Sequence, residues 1–328
     1  MAYNRIYNEE DWALVNQENK DIMEDYLLEY TSRKKKKSTI EQYRNDLRII
    51  LIYILKSCNN QVITSLTKKE FRNLSLWFSN GLEVSNARTN RLMSCCRSLL
   101  TFVEEEDEYD YDTNIAKKVK GLEKESVRDI IFLKDEIVLK LIDKMLLEQR
   151  YKDATLLALA YDSAGRKGEL AQCTKYSFLD EDKNSTNKVV GKRGKVFQLV
   201  YFNLTKKCVK LYLEQRGQDD IDDLFVIGTG ESKRPAHKEI LYDWVVAWRK
   251  DLKELFDMDC ELNVHSLRHT SLENFSIGSH YVCRDLGIEK IPLEKLRLIA
   301  NHSNIGTTAS YLQDKSTEEL ENLFGIKI

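Results

Sequence analysis

Apolar residues recur at helical spacing along most of the chain, and strand-like runs occur in one place only. Ile40, Tyr43, Leu47, Ile50 and Ile54 share one face of a helix. The Ser38-Thr39-Ile40-Glu41 stretch ahead of them predicts a capping box, with Ser38 at the cap. Thr67-Lys68-Lys69-Glu70 predicts a second box, followed by Phe71, Leu74, Trp77 and Phe78. A third helix is predicted from Asn86 to about Glu104, with Leu92, Leu99 and Phe102 among its apolar positions. A shorter helical pattern covers Asp21 to Leu28, and the acidic stretch before it reads as a leading arm or short helix.

Acidic residues from Glu104 to Asp112 then give way to Lys117, Lys118, Lys120 and Lys124, a charge switch that suits an inter-domain strap. The expected division is an arm over 1–20, a helical domain over 21–112, a linker over 113–129 and a second domain over 130–328. In the second domain, helices are predicted through Leu147, over Ala154–Ala164 and around Lys206–Glu214, Ile240–Phe256, Ser266–Phe275 and Leu293–Ala300. Strand-like runs at 188–190 and 196–202 flank Gly191-Lys192-Arg193-Gly194-Lys195, a hairpin turn by its glycines. The fold class is therefore mainly α, with one small β-sheet.

Composition narrows the classes. With 328 residues, 2 prolines and 13 glycines, the chain suits two helical domains without disordered linkers. No apolar run is long enough to span a bilayer, so a membrane partner is not expected and the cytoplasm is the default location. The seven cysteines have no regular spacing and form no C-x-x-C pair, which argues against a disulfide framework and against zinc. A net charge of −2 neither supports nor excludes nucleic acid, because local basic clusters decide phosphate binding.

Three stretches carry candidate chemistry: Gly165-Arg166-Lys167-Gly168-Glu169-Leu170, then His265-Ser266-Leu267-Arg268-His269-Thr270, then Asn301-His302 leading to Tyr311. His265 and Arg268 share a helix face. Singly, each residue has an ordinary reading as a salt-bridged arginine, a solvated turn lysine or a half-buried tyrosine. In this order they supply cations to hold a phosphodiester against a tyrosine, which is a poor nucleophile until the developing charge is absorbed.

That ordered set resembles the tyrosine recombinases, or phage integrases, over most of the chain, in the manner of the Xer-like and mobile-element members. The resemblance implies a helical core-binding (SAM-like) domain followed by the recombinase catalytic fold, and site-specific DNA strand exchange without metal or other cofactor. It implies that Arg166 and Arg268 clamp the scissile phosphate and that Tyr311 forms a 3′-phosphotyrosyl link. Lys192 would protonate the departing 5′ oxygen, with Lys195 as the alternative. His265 would assist as proton acceptor or hydrogen-bond partner, His302 would donate to the phosphate, and Glu169 would buttress the site. The implied partners are double-stranded DNA with inverted-repeat core sites and a homotetramer on two duplexes. Further implications are exchange of the tail over 318–328 between protomers and an accessory directionality factor. Lys34, Lys36, Arg44, Arg88, Arg91 and Arg97 are candidate DNA contacts of the first domain, and Lys195 is a further candidate contact in the hairpin.

Besides the hairpin, whose Gly-Lys-Arg-Gly-Lys run offers two lysines, the sequence departs from the family pattern in two further places. Asn301 stands where glycine is usual before the histidine, and asparagine tolerates the same left-handed backbone. The span from Arg268 to His302 is long, with Ser279–Asp285 read as an inserted loop. Neither removes a catalytic residue type. A non-catalytic DNA-binding regulator of the same fold and a type IB topoisomerase are the alternative readings.

Overall fold

The computed structural model describes residues 6–123 and 130–313, in two compact units divided between Asp129 and Ile130. The tail over 318–328 lies outside the described residues.

The first unit is helical: α1 (Glu9–Leu14), α2 (Gln17–Ser32), α3 (Lys37–Ser57), α4 (Lys68–Leu76) and α5 (Asn86–Glu105). Its core takes Met23 and Leu27 from α2, Leu47 and Ile50 from α3, Phe71 and Leu74 from α4, and Leu92 and Leu99 from α5. The Thr67 capping box forms as read: Glu70 N–H donates to Thr67 Oγ1 at 3.3 Å, and Thr67 N–H donates to the Glu70 carboxylate at 2.7 Å. The Ser38 box does not form. Helix α3 begins two residues earlier, capped by Lys36 without a side-chain bond. The cause lies upstream, where Lys34 takes left-handed backbone (φ 52°). Lys34 N–H then donates to Thr31 O at 2.9 Å and Lys35 N–H to Tyr30 O at 3.1 Å. This is a Schellman closure of α2, and it re-enters helix before Ser38 can cap.

The second unit is built around α7 (Tyr151–Ser163), whose residues from Ala154 onward are all buried. A helix apolar on every side belongs at the centre of a domain. Around it pack α6 (Asp135–Leu147), α9 (Asn203–Arg216) and α12 (Val264–Ser276), while α8 (Lys167–Leu170) follows it directly. Strands β1 (Ser185–Val190) and β2 (Val196–Val200) pair antiparallel, with Val189 opposite Phe197 and Val190 opposite Val196. The second strand stops short of Phe202, because Phe202 is the N-cap of α9. A minimal pair, β3 (Val226–Ile227) and β4 (Arg234–Pro235), follows. The helix expected over 240–256 is two, α10 (Lys238–Ala247) and α11 (Arg249–Phe256), broken at the fully buried Trp248. Three short helices close the unit: α13 (Tyr281–Leu286), α14 (Leu293–Ile299) and α15 (Ile305–Ala309). Residues 279–285 are therefore mostly helical and not a loop. They hold a helix whose first residues, His280 to Cys283, are buried.

Candidate active site

The α12 helix begins at Asn263, whose side chain accepts the His265 and Ser266 amides at 2.9 and 3.2 Å. From that fixed start, His265, Arg268 and His269 lie three and four residues apart on one face. Arg268 is 1% exposed. One of its terminal nitrogens donates to the carbonyl of Ala164, and the other to Ala300 O at 2.6 Å. The second also lies 2.8 Å from His302 Nε2. Its Nε–H is buried and, among the described residues, has no hydrogen-bond partner.

His302 is delivered by the end of α14. Asn301 takes left-handed backbone (φ 53°), its N–H donates to Leu298 O at 3.1 Å, and His302 N–H donates to Arg297 O at 3.0 Å. These are the two bonds of a Schellman motif, with asparagine in the glycine position. Thr308 Oγ1 sits 3.0 Å from His302 Nδ1. Burial and the charges of Arg268, Arg166 and Lys195 push the His302 pKa down to about 4, so the ring is neutral at pH 7. A neutral ring beside a guanidinium accepts at Nε2, which leaves the Nδ1 proton for Thr308.

Tyr311 completes the site. Its ring centroid lies 5.1 Å from that of His265, 4.4 Å from that of His269 and 5.1 Å from that of His302. The Arg268 guanidinium carbon is 5.1 Å from the same ring. Three of the chain's five histidines thus surround one tyrosine. The His265 pKa is also pushed down to about 4, first by burial and then by His269, Arg268 and Arg166. Burial and the neighbouring Arg166 lower Arg268 to about 10, which leaves it charged at neutral pH.

Arg166 follows Ala164-Gly165 at the end of α7. Its backbone N–H donates to Glu169 Oε2 at 2.9 Å and its guanidinium to Glu169 Oε1 at 3.0 Å. A side chain on Gly191 would stand 3.2 Å from Glu169 Oε1 and 2.6 Å from the Phe197 ring, so glycine lets the hairpin base approach this pair. Among the described residues, no group of three or more His, Cys, Asp or Glu is placed to hold a metal ion.

No protein-family model matches the chain, and no curated protein matches it. Solved structures do. A lambda integrase dimer bound to a core site aligns with TM-score 0.65 and 15% identity, over 90% of this chain and 77% of that one. The XerH site-specific recombinase on a palindromic substrate gives 0.66 and 16%, over 89% and 82%. The Tn1549 transposon integrase with a circular-intermediate DNA gives 0.64 and 14%, over 92% and 99%. The chain has the tyrosine recombinase fold.

Within that fold the two hairpin lysines are placed differently. Lys195 Nζ donates to Asn301 O at 3.2 Å, and its charge reaches His302. Lys192 is exposed on the turn between β1 and β2. The candidate DNA contacts of the first unit also separate. Arg97 donates to Ala116 O and Val119 O at 3.2 and 2.9 Å, and so holds the 115–119 segment to α5. Arg88 makes a two-pronged pair with buried Asp46 at 2.6 and 3.0 Å, which Arg91 approaches at 3.6 Å. Arg44 is paired with Glu24. Lys34 and Lys36 are exposed at the turn between α2 and α3. His269 was not singled out as a site residue, yet its Nδ1 lies 3.0 Å from Tyr311 O and its ring stacks on that of Tyr311. Its place four residues after His265 was the available signal.

Proposed function

We propose that this protein is a site-specific DNA recombinase that cuts and rejoins double-stranded DNA through Tyr311. The observation that carries the reading is the enclosure of the Tyr311 ring by His265, His269, His302 and Arg268, with the Arg268 Nε–H buried and, among the described residues, without a hydrogen-bond partner. A phosphate oxygen is the acceptor such a donor lacks.

In the proposed reaction, Arg166 and Arg268 hold the non-bridging oxygens of the scissile phosphate. Tyr311 Oη attacks phosphorus and yields its proton to His265, which is neutral and able to accept it. The P–O5′ bond breaks, and the departing oxygen takes a proton from a lysine. Lys195 is the better-placed donor, because its ammonium already lies at Asn301 beside His302. The 3′-phosphotyrosyl link keeps the energy of the broken bond, so attack by a free 5′ hydroxyl reseals DNA without a nucleotide cofactor. Arginine charge absorbs the build-up on phosphate in this scheme. Neighbours of the same fold were captured on DNA, including a lambda integrase tetramer bound to a Holliday junction, which supports reading DNA as the partner and a tetramer as the assembly.

The test is covalent capture. Purified protein is mixed with fragmented DNA from its source, denatured, and the protein-linked DNA is sequenced, with Tyr311→Phe as control. Tyr311-dependent capture at one inverted-repeat site is expected. Capture spread over unrelated sequences would favour a topoisomerase, and binding without any covalent product would sink the enzymatic reading.

A further inference from the structure

The segment from Ser279 to Arg284 ties together the two helices that deliver Arg166 and Arg268. The His280 ring is fully buried between Phe275 of α12, at 3.7 Å and 6° between planes, and Tyr161 of α7, at 4.1 Å and 18°. Tyr281 Oη donates to Asp162 Oδ1 at 2.7 Å, and Tyr281 N–H donates to Asp135 Oδ1 at 2.9 Å. The same Asp135 oxygen accepts Tyr161 Oη at 2.7 Å.

Asp162 is the centre of this arrangement. Its other oxygen accepts Phe202 N–H at 2.9 Å and Thr205 Oγ1 at 2.6 Å. Helix α9 has no side-chain cap of its own, so Asp162 caps it from a neighbouring helix. Two residues further on, Ala164 takes left-handed backbone (φ 50°), which a non-glycine residue holds only with support from its surroundings. The Ala164 carbonyl is the one that accepts the Arg268 guanidinium. Gly165 and Arg166 come next, with their amides bonded to Ser163 Oγ at 3.1 Å and Glu169 Oε2 at 2.9 Å.

We propose that Tyr281 and Asp162 are positioning residues: their hydrogen bond fixes the Ala164–Arg166 turn and so sets Arg166 against Arg268. Neither residue touches the reacting atoms. The consequence for cleavage rests on the recombinase reading above, and the consequence for the turn does not.

Tyr281→Phe removes one hydroxyl and keeps the ring. Amide hydrogen exchange on the full chain should then rise on the order of tenfold at Gly165 and Arg166, while the buried Val209 amide of α9 stays protected. Covalent trapping of DNA should slow by roughly tenfold to a hundredfold with DNA affinity unchanged. Asp162→Asn, with Tyr281 intact, keeps an acceptor for Phe202 and a polar partner for Tyr281, and should retain most of the wild-type protection and rate. Unchanged exchange at Gly165 and Arg166 in Tyr281→Phe would overturn the proposal, and so would a rise of equal size throughout the second unit. A wild-type protein that makes no covalent product would sink the recombinase reading, while the exchange result would still decide the positioning role.

Discussion

His302 Nε2 stands 2.8 Å from a terminal nitrogen of Arg268, so the imidazole holds the arginine as an acceptor. That contact needs a neutral ring, and the surrounding cations together with burial keep it neutral. A bound phosphate would bring negative charge to the same place. It would raise the basicity of His302 and His265 and so favour proton transfer only once DNA is in the site.

The two histidines make stability depend on pH. Their folded pKa values, about 4, lie below the ordinary histidine value of 6.5. The unfolded chain therefore takes up protons first as pH falls, and stability present above 6.5 is lost progressively toward pH 4. Melting curves of the wild type should shift down between pH 7 and pH 5, and His302→Gln should flatten that dependence. An unchanged slope in His302→Gln would contradict the neutral, buried assignment.

Lys195 and Lys192 can be told apart by a leaving-group substitution. If Lys195 is the proton donor, Lys195→Ala should slow strand cleavage by roughly 10²- to 10⁴-fold. A 5′-bridging sulfur, which leaves without a proton, should recover most of that loss. Lys192→Ala should change the rate only a few-fold. The reverse pattern would return the role to Lys192.

Arg88 is predicted to act on the fold. Asp46 is 2% exposed and meets both prongs of Arg88. Arg88→Ala leaves the buried carboxylate with only Gln42 and the more distant Arg91 among the described residues, and should cost about 3 kcal/mol in urea unfolding of the first unit. Arg91→Ala, at a half-exposed side chain 3.6 Å from the same carboxylate, should cost less than about 1 kcal/mol. Equal effects of the two would refute the distinction.

Gly278 takes φ 75°, and a side-chain carbon there would lie 1.6 Å from the Glu289 carbonyl oxygen. Gly278→Ala should therefore destabilise the second unit by more than about 2 kcal/mol, read from thermal or urea unfolding. A near-neutral change would mean that the 278–290 turn relaxes freely.

Much of the fold was legible because local rules act on neighbours in sequence. The Thr67 box, the α5 helix and the β-hairpin all follow from spacing within a few residues. Ser38 shows the limit: its box was locally sound but lost to the Schellman closure at Lys34. Arg97 shows another. Its charge suggested a DNA contact, and nothing local reveals that two backbone carbonyls 19 and 22 residues away take its donors. The segment over 279–285 was read as a loop from the length of the Arg268–His302 span, and its partners, Tyr161, Asp162 and Asp135, lie more than a hundred residues upstream, where no local pattern reveals them.

The sequence alone determined the helical class, the order of Arg166, His265, Arg268, His302 and Tyr311, and the chemistry those residue types can perform. Tertiary structure decided which of them meet. It placed Lys195 at Asn301, joined His269 to Tyr311 and made Asp162 the cap of a helix forty residues away. Periodicity and capping are set by bonds between near neighbours, so they are written locally. Bringing His265, Arg268, His302 and Tyr311 together depends on how the helices pack, and packing is a property of the whole unit.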